Sequence, residues 1–169
     1  MEYMLLEIQD IVKINGESTL KGLEKLIEIK SYSHGVSNPV QPTTSNTGRT
    51  TGRPHFQQMS VSKNLDATTP MLNYYCAQAK NLGTTRVHLL RQDASAGGTE
   101  VNASDYMVYE MTDTMVAAVS VGGRGEGIPT ETLSLNFSKI TWTYKKQKAE
   151  TGEPGQIVQF WDQQTNTGG

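Results

Sequence analysis

The longest alternating pattern in the chain covers residues 129–145 and predicts one long β-strand. Apolar residues recur there at every second position, which is typical of a strand that buries one face. After Phe137 the apolar phase slips by one residue, so an unbroken strand would turn its second half inside out. We therefore predict a bent strand with a β-bulge near Ser138 and Lys139. The apolar positions are Leu133, Leu135 and Phe137, then Ile140, Trp142 and Tyr144.

Shorter alternations predict strands along the rest of the chain. They fall at residues 4–8, 26–34, 56–65, 85–91, 101–111, 115–121 and 156–161. The fourth and fifth of these flank a turn-like segment, so we expect them to form a hairpin. The predicted fold class is all-β, a closed β-barrel of two curved antiparallel sheets with one flanking α-helix and a long protruding loop.

One segment, residues 70–81, predicts the helix. Thr69 is placed to cap it, and Pro70 suits its first position because the missing N–H needs no partner there. Gly83 follows the predicted end. The apolar side chains share one face, so the helix should lie against the outside of the sheet. They are Leu72, Cys76 and Ala79, with Tyr75 beside them.

Residues 36–54 are rich in Ser, Thr, Asn, Gly and Pro and cannot contribute to a core. A segment of this length without predicted structure is either functional or a plain mobile loop, and we interpret it as a protruding arm. Residues 162–169 are expected to fray. The whole chain, 1–169, is predicted to form a single domain.

Composition excludes some classes of binding partner and indicates the compartment in which the chain is made. The chain has 15 Lys and Arg against 17 Asp and Glu, neither in blocks, so we predict no nucleic-acid partner. No apolar run approaches ~20 residues, so we predict no membrane insertion. Cys76 is the only cysteine, which excludes an intrachain disulfide. No signal-peptide pattern is present, so we expect synthesis in the cytoplasm and export, if any, without a cleavable signal.

The sequence offers little catalytic chemistry. His34, His55 and His88 lack the spacing of a metal site, and no nucleophile turn surrounds a serine or the cysteine. The glycine-rich residues 122–127 lie between two predicted strands and are interpreted as a hairpin loop, not as a phosphate cradle. We therefore predict no enzyme activity, no cofactor and no metal.

The second face of the long predicted strand is polar but uncharged. Such a face is typical of a sheet lined by other subunits, whereas a freely solvated one would more often carry Lys and Glu. The pattern favours assembly over catalysis. Its residues are Thr132, Ser134, Asn136, Thr141 and Thr143.

Several motifs, in order, resemble the haemolysin-coregulated protein (Hcp) family of bacterial type VI secretion. Residues 129–139 (PTETLSLNFSK) resemble its P-T-E-x-x-x-L-N-F segment, and residues 27–35 (IEIKSYSHG) resemble its I-E-V-L-S-W-S-x-G strand. Residues 66–72 (DATTPML) resemble its helix start. Gly16-Glu17-Ser18 and Trp161-Asp162 are similar to its terminal motifs, so the resemblance covers nearly the whole chain.

The resemblance implies a hexameric ring that stacks into the inner tube of the secretion machine. Other copies of the chain, a contractile sheath and a spike protein would be its partners, and small protein effectors would travel in the lumen. The chain would be made in the bacterial cytoplasm and then secreted. An alternative is an effector chaperone or adaptor, monomeric or ring-forming, with the same barrel.

The resemblance also implies roles for particular residues. Ser31 and Ser33 would face the lumen, an ordinary solvent-facing strand being the alternative. The arm would help rings to stack through Asn38, Pro39, Pro42, Arg49 and Arg53. The family's long-strand motif corresponds to Thr130, Glu131, Leu133, Leu135, Asn136, Phe137 and Trp142.

Overall fold

The computed structural model describes residues 3–40, 52–94, 101–146 and 155–169. Thirteen strands and one helix follow one another in these ranges. They are β1 Tyr3–Ile8, β2 Ile27–Glu28, β3 Ser31–Ser33, β4 Val36–Ser37, β5 His55–Phe56, β6 Met59–Asn64, α1 Thr69–Gln78, β7 Thr85–Ala94, β8 Val101–Thr112, β9 Met115–Gly122, β10 Thr130–Asn136, β11 Lys139–Lys145, β12 Gln156–Asp162 and β13 Thr167–Gly168.

The strands form two main antiparallel sheets and a short two-stranded one. The larger sheet has seven strands in the order β13-β12-β11-β8-β7-β1-β2, and the smaller has four in the order β3-β6-β10-β9. Strands β4 and β5 pair separately. The mainly β fold with one flanking helix is confirmed, and so is the β7–β8 hairpin. Closure of the sheets into a continuous barrel stays a prediction.

One hydrophobic core joins the two main sheets and the helix. Leu6 and Ile140 of the larger sheet and Leu133 of the smaller one are fully buried in it. Leu72 of α1 belongs to the same core, where the helix packs beside β9. A second, smaller cluster forms where the loop of residues 15–26 covers the other face of the larger sheet, around Leu5, Leu26 and Leu90.

The prediction of one long bulged strand over residues 129–145 is wrong. Strand β10 belongs to the four-stranded sheet and β11 to the seven-stranded sheet, so the chain changes sheet at Phe137 and Ser138. The amide of Ser138 donates to the carbonyl of Thr112 at 3.0 Å, which fixes this corner. The phase slip marks a corner between sheets, because both halves bury apolar residues in the same core from opposite sides.

The predicted strand over residues 26–34 is likewise two strands. Strand β2 pairs with β1 in the larger sheet, and β3 pairs with β6 in the smaller one. The amide of Ile29 donates to the carbonyl of Met4 at 3.0 Å, and the amide of Lys30 donates to the carbonyl of Ser62 at 2.7 Å. The chain therefore passes from the larger sheet to the smaller one between these two residues. The predicted strand over residues 56–65 is also divided, into β5 and β6.

Helix α1 has the predicted proline at its start but different ends. It begins one residue earlier than predicted, and Thr69 does not cap it, because Thr68 occupies the N-cap position. The helix ends at Gln78, before the predicted stop, and its C-cap residue Ala79 adopts the left-handed conformation at φ 50°. In the part of the chain that is described, no helix has the length and apolar character to cross a membrane.

The C-terminal residues do not fray as predicted. The chain turns after Asp162, and β13 pairs with β12. Phe160 and Gly169 exchange two backbone hydrogen bonds, of 2.8 and 3.2 Å. The predicted arm has a paired base, since β4 and β5 join at Val36 and Phe56. Residues 41–51 of the arm lie outside the described residues.

Candidate functional site

The face of the four-stranded sheet that points away from the core carries two rows of small side chains, all hydroxyls except Ala118. Residues on β3, β6, β10 and β9 align across the strands in two rows. One row is Ser31, Ser62, Thr132 and Ser120, and the other is Ser33, Ser60, Ser134 and Ala118. We call these two rows the hydroxyl face. The intervening residues, such as Val61 and Leu133, are fully buried on the opposite side.

The hydroxyl face carries no charge. In the four strands, which the structure describes completely, the charged residues are Lys63 and Glu131. Both are fully buried on the core side of the sheet. A solvated sheet face usually carries lysine and glutamate, so this composition is unusual for a surface that meets only water.

The two buried charges form an ion pair directly beneath the hydroxyl face. Lys63 and Glu131 are cross-strand partners, and the Lys63 Nζ to Glu131 Oε2 distance is 3.0 Å. Lys63 also donates to Asp66 Oδ1 at 2.7 Å and to the carbonyl of Asn64 at 3.0 Å. Buried ions are tolerated only when they are paired and hydrogen-bonded, and here one ammonium serves two carboxylates.

The same network holds the start of the helix. The hydroxyl of Thr69, the first residue of α1, donates to Glu131 at 2.7 Å and so ties the helix start to β10. Asp66 accepts from the amide of Thr68 at 2.9 Å. Burial alone would raise the pKa of Asp66, but the hydrogen bonds from Lys63 and Thr68 outweigh it and hold the pKa below its usual value. The network therefore joins β6, β10 and α1 and fixes the sheet that presents the hydroxyl face.

The residues predicted for the lumen and the arm lie in separate places. Ser31 and Ser33 are exposed and begin the two rows of the hydroxyl face. Asn38, Pro39 and Arg53 are exposed near the base of the arm. The guanidinium of Arg53 donates to the carbonyl of Gln163 and so links this base to the C-terminal turn. Pro42 and Arg49 lie outside the described residues.

The residues of the long-strand motif divide into three groups. Leu133, Leu135 and Phe137 are buried in the core, and Glu131 belongs to the ion network. Thr130 and Asn136 are exposed at the two ends of β10. Trp142, on the other sheet, stacks on Phe56 with ring centroids 6.2 Å apart. The expectation that Thr141 and Thr143 share a face with Thr132 is wrong, because β11 belongs to the larger sheet.

The histidines, the cysteine and the glycine loop occupy unrelated positions. His88 lies between Glu7 and Asp105 on the larger sheet, while His55 is exposed on β5. Cys76 is half-buried on α1. The glycine loop joins β9 to β10, which confirms the predicted hairpin. Among the described residues, no group of three or more His, Cys, Asp or Glu side chains is placed to hold a metal ion.

Lys63, Ser60 and Ser62 are not among the residues predicted from the sequence. The signal was available in β6, where Met59, Val61 and Lys63 alternate with the serines. A lysine in phase with buried residues, together with a glutamate in phase with Leu133 and Leu135, indicates a buried cross-strand pair. Sequence alone does not pair the two strands, because they are separated by more than 60 residues and by a helix.

Comparison with known proteins places the chain in a family. Residues 5–144 match the family model described as "Type VI secretion system effector, Hcp". Protein hcp1 of Pseudomonas aeruginosa is 30% identical over 114 residues, which cover 66% of this chain and 67% of that protein.

Solved structures share the fold. A type six secretion system protein superposes with a TM-score of 0.83 at 23% identity, covering 100% of both chains. Hcp1 from Salmonella typhimurium superposes with a TM-score of 0.74 at 23% identity, covering 99% of this chain and 98% of that one. Because the family model spans most of the sequence, the chain belongs to the Hcp family and is a secreted structural tube protein of type VI secretion.

Proposed function

We propose that the hydroxyl face lines the interior of a hexameric ring and that stacked rings form the expelled tube. The observation that carries this proposal is the pair of rows of small, uncharged side chains across β3, β6, β10 and β9. In a closed ring, every copy brings the same face to the same narrow space, so any charge on it would be repeated around the ring. A neutral face avoids that repulsion.

The edges of the four-stranded sheet supply a way to close the ring. Strands β3 and β9 are its two edges, and they are different surfaces. Pairing of β9 of one copy with β3 of the next would continue both rows from copy to copy. Such a head-to-tail contact is heterologous, and it forms a ring when the rotation between copies closes. Edge strands that would be an aggregation hazard in a monomer then form the contact between neighbouring copies.

The arm is proposed to connect one ring to the next. Its described base is the β4–β5 pair, and the amide of Gly52 donates to the carbonyl of Pro39 at 3.3 Å. The two ends of the arm are therefore adjacent, and residues 40–51 can be removed without stretching the base. That deletion should leave rings and abolish tubes. Loss of the folded chain would instead mean that the arm is part of the fold.

The remaining partners follow from the tube assignment. A contractile sheath would surround the tube, a spike protein would tip it, and small protein effectors would occupy the lumen. The chain would act in the bacterial cytoplasm until the machine expels it. Its role would be structural and not enzymatic, in keeping with its family of structural secretion proteins.

Light scattering behind size exclusion, at several protein concentrations, tests the ring. We expect a mass near six times the 18.6 kDa of the chain, with larger multiples as concentration rises. A monomer at all concentrations would contradict the ring. If that monomer still bound an effector, the chaperone or adaptor function would replace the tube function.

The lumen assignment is tested with Ser33→Gln in cells that also make an effector already known to co-purify with the chain. The longer side chain should reduce effector recovery while the mass of the ring stays unchanged. The matched control is Thr19→Gln, which adds the same side chain at an exposed position of the loop over the larger sheet. Equal recovery from both variants would argue that β3 faces solvent outside the ring.

A further inference from the structure

His34 lies in an unusual environment between the arm base and the core. Its imidazole contacts four aromatic rings, with centroid separations of 5.9 to 6.5 Å. Two of these rings, Tyr109 and Trp142, belong to the larger sheet, and a third belongs to the β4–β5 pair. We call His34 and these four rings the aromatic cage. The rings are Phe56, Tyr109, Phe137 and Trp142.

Both nitrogens of the His34 ring are buried, and neither has a hydrogen-bond partner among the described residues. Burial lowers the pKa of His34, and the interaction with the backbone of Gln57 opposes this only in part. An imidazolium needs two acceptors or water, and aromatic faces replace them incompletely, since a cation–π contact contributes only ~0.5–2 kcal/mol. The cage therefore fits the neutral ring.

The ionisable groups on the elements around the cage do not compensate a charge on His34. The ring contacts are neutral, and the pKa of the Tyr109 phenol is raised by burial and by its contact with Tyr32. On β8 and β11 the ionic side chains alternate with the cage residues and bind partners elsewhere, and His55 on β5 is exposed. These groups are Asp105 with His88 and Lys145, Glu110 with Arg86, Lys139 over Phe160, and Arg53 with Gln163.

The cage also has a mechanical position. His34 directly precedes Gly35, whose carbonyl accepts from the amide of Gln57 at 2.9 Å, and β4 begins one residue later. Phe56 lies on the partner strand β5. Phe56 of β5 and His34, two residues before β4, therefore both pack against core residues at the arm base.

We propose that His34 is an acid-sensitive joint, which holds the β4–β5 pair to the core when its ring is neutral and releases that pair when the ring is protonated. Because the charged ring must leave the cage to reach water, release uncovers Phe56 and loosens the Gly35–Gln57 contact. The joint does not depend on ring formation. If the arm stacks rings, acid would weaken stacking before it weakens the ring, and this consequence alone rests on the proposed function.

The first test is the titration of His34 in the folded chain by NMR. We expect a midpoint below 6.5, the ordinary histidine value, with the shift change spreading to the Trp142 indole. A midpoint at or above 6.5 would overturn the proposal. This measurement needs no substitution at the cage and so does not depend on a variant that folds.

Fluorescence gives the second test, because an imidazolium quenches a neighbouring indole. The chain has two tryptophans, so Trp161→Phe leaves Trp142 as the reporter. In that background, emission should change with a midpoint that matches His34, and His34→Phe, which fills the cage without a charge, should remove the transition. The matched control, His55→Phe, replaces an exposed histidine at the same arm base, and the emission transition should remain in this variant.

Hydrogen exchange tests the release itself. The protection factor of the Gln57 amide, corrected for the intrinsic pH dependence of exchange, should fall at least tenfold as His34 titrates. The amides of the β6–β10 ladder should keep their protection. Unchanged protection of Gln57 through the titration would show that the cage accommodates the charged ring, and the joint would be disproved. That result would leave the tube function intact.

Discussion

At the scale of single residues, the charge of the buried Lys63 must be compensated by a partner within the fold. Its side chain is fully buried, and so is that of Glu131, 3.0 Å away. Removing one member of a buried pair typically costs about 3–5 kcal/mol, because the other charge is left without compensation. We expect Lys63→Met to lower the free energy of unfolding by about that amount, measured by urea denaturation at fixed protein concentration.

A double-mutant cycle separates the pair from other losses. Lys63→Met combined with Glu131→Gln removes both charges and leaves an acceptor for Thr69, so the double variant should lose clearly less than the sum of the single losses. Lys80→Met, at an exposed position, is the matched control and should change stability by less than ~0.5 kcal/mol. Additive losses would mean that the two side chains do not stabilise each other.

His88 gives a pH dependence opposite to that of His34. Burial disfavours its charged form, but hydrogen bonds and attraction from Asp105 and Glu7 outweigh burial and raise the pKa of His88. Glu7 Oε2 lies 2.7 Å from Nε2. Because the folded-state pKa is above the unfolded value, the stabilisation is complete below pH 6.5 and disappears as pH rises through the folded pKa.

The substitution His88→Gln should therefore destabilise the chain more at about pH 6 than at about pH 9. Each pKa unit of difference corresponds to about 1.4 kcal/mol in the free energy of unfolding. Thermal or urea denaturation at the two pH values measures the effect, with His55→Gln as the exposed control. An equal loss at both pH values would show that His88 acts only through neutral hydrogen bonds and packing.

At the scale of elements, the two errors in the strand assignment have one physical cause. The apolar phase slips near residue 30 and again near residue 138, and at both places the chain leaves one sheet and joins the other. A bulge and a corner produce the same slip in a one-dimensional pattern, because each restores the burial of the next residues. Only the identity of the pairing strands distinguishes them, and this depends on contacts that are remote in sequence.

The C-terminal turn shows the same limit of local reasoning. Its polar residues predict fraying, yet Gln163 donates its backbone amide to Ser138 and its side-chain amide to Phe137, at 2.8 and 2.9 Å. These acceptors lie at the corner between β10 and β11. Composition does not reveal a tail that satisfies backbone groups elsewhere, since such bonds are made by ordinary polar side chains.

Deletion of residues 163–169 should therefore destabilise the fold. It removes the two Gln163 bonds and the two Phe160–Gly169 bonds, and at about 0.5–1.5 kcal/mol each the loss is on the order of 2–6 kcal/mol. Urea denaturation measures this loss, and Gln164→Ala, an exposed change in the turn, is the control. If the truncated chain is as stable as the full chain, residues 163–169 do not stabilise the fold, which is the behaviour of a frayed tail.

At the scale of the whole molecule, a feature could be predicted from the sequence when the residues that form it are close together along the chain. The hairpin, the proline at the helix start and the uncharged face of β10 were predictable, because each is encoded within one segment. The eight-position hydroxyl face was not, because its rows combine β3, β6 and the β9–β10 hairpin, which come from three separate parts of the chain. The ordered family motifs, not the local patterns, carried the correct function.

The neutrality of the hydroxyl face provides the last prediction. Thr132 is exposed at the centre of one row, and in a ring its copies would share one enclosed space. Thr132→Glu would repeat a negative charge around that space and should weaken assembly at low salt. Screening should restore assembly at high salt, because the Debye length falls from about 10 Å at 0.1 M to about 3 Å at 1 M.

Thr132→Gln isolates the charge, because glutamine has nearly the same size and shape as glutamate. Light scattering across a salt series should give intact rings for the glutamine variant throughout and a salt-dependent ring fraction for the glutamate variant. Intact rings for both variants at every salt concentration would mean that copies of Thr132 do not face one another. Dissociation of both would instead place Thr132 in a packed contact, because size alone would then disrupt assembly. In either case the hydroxyl face would not line the lumen.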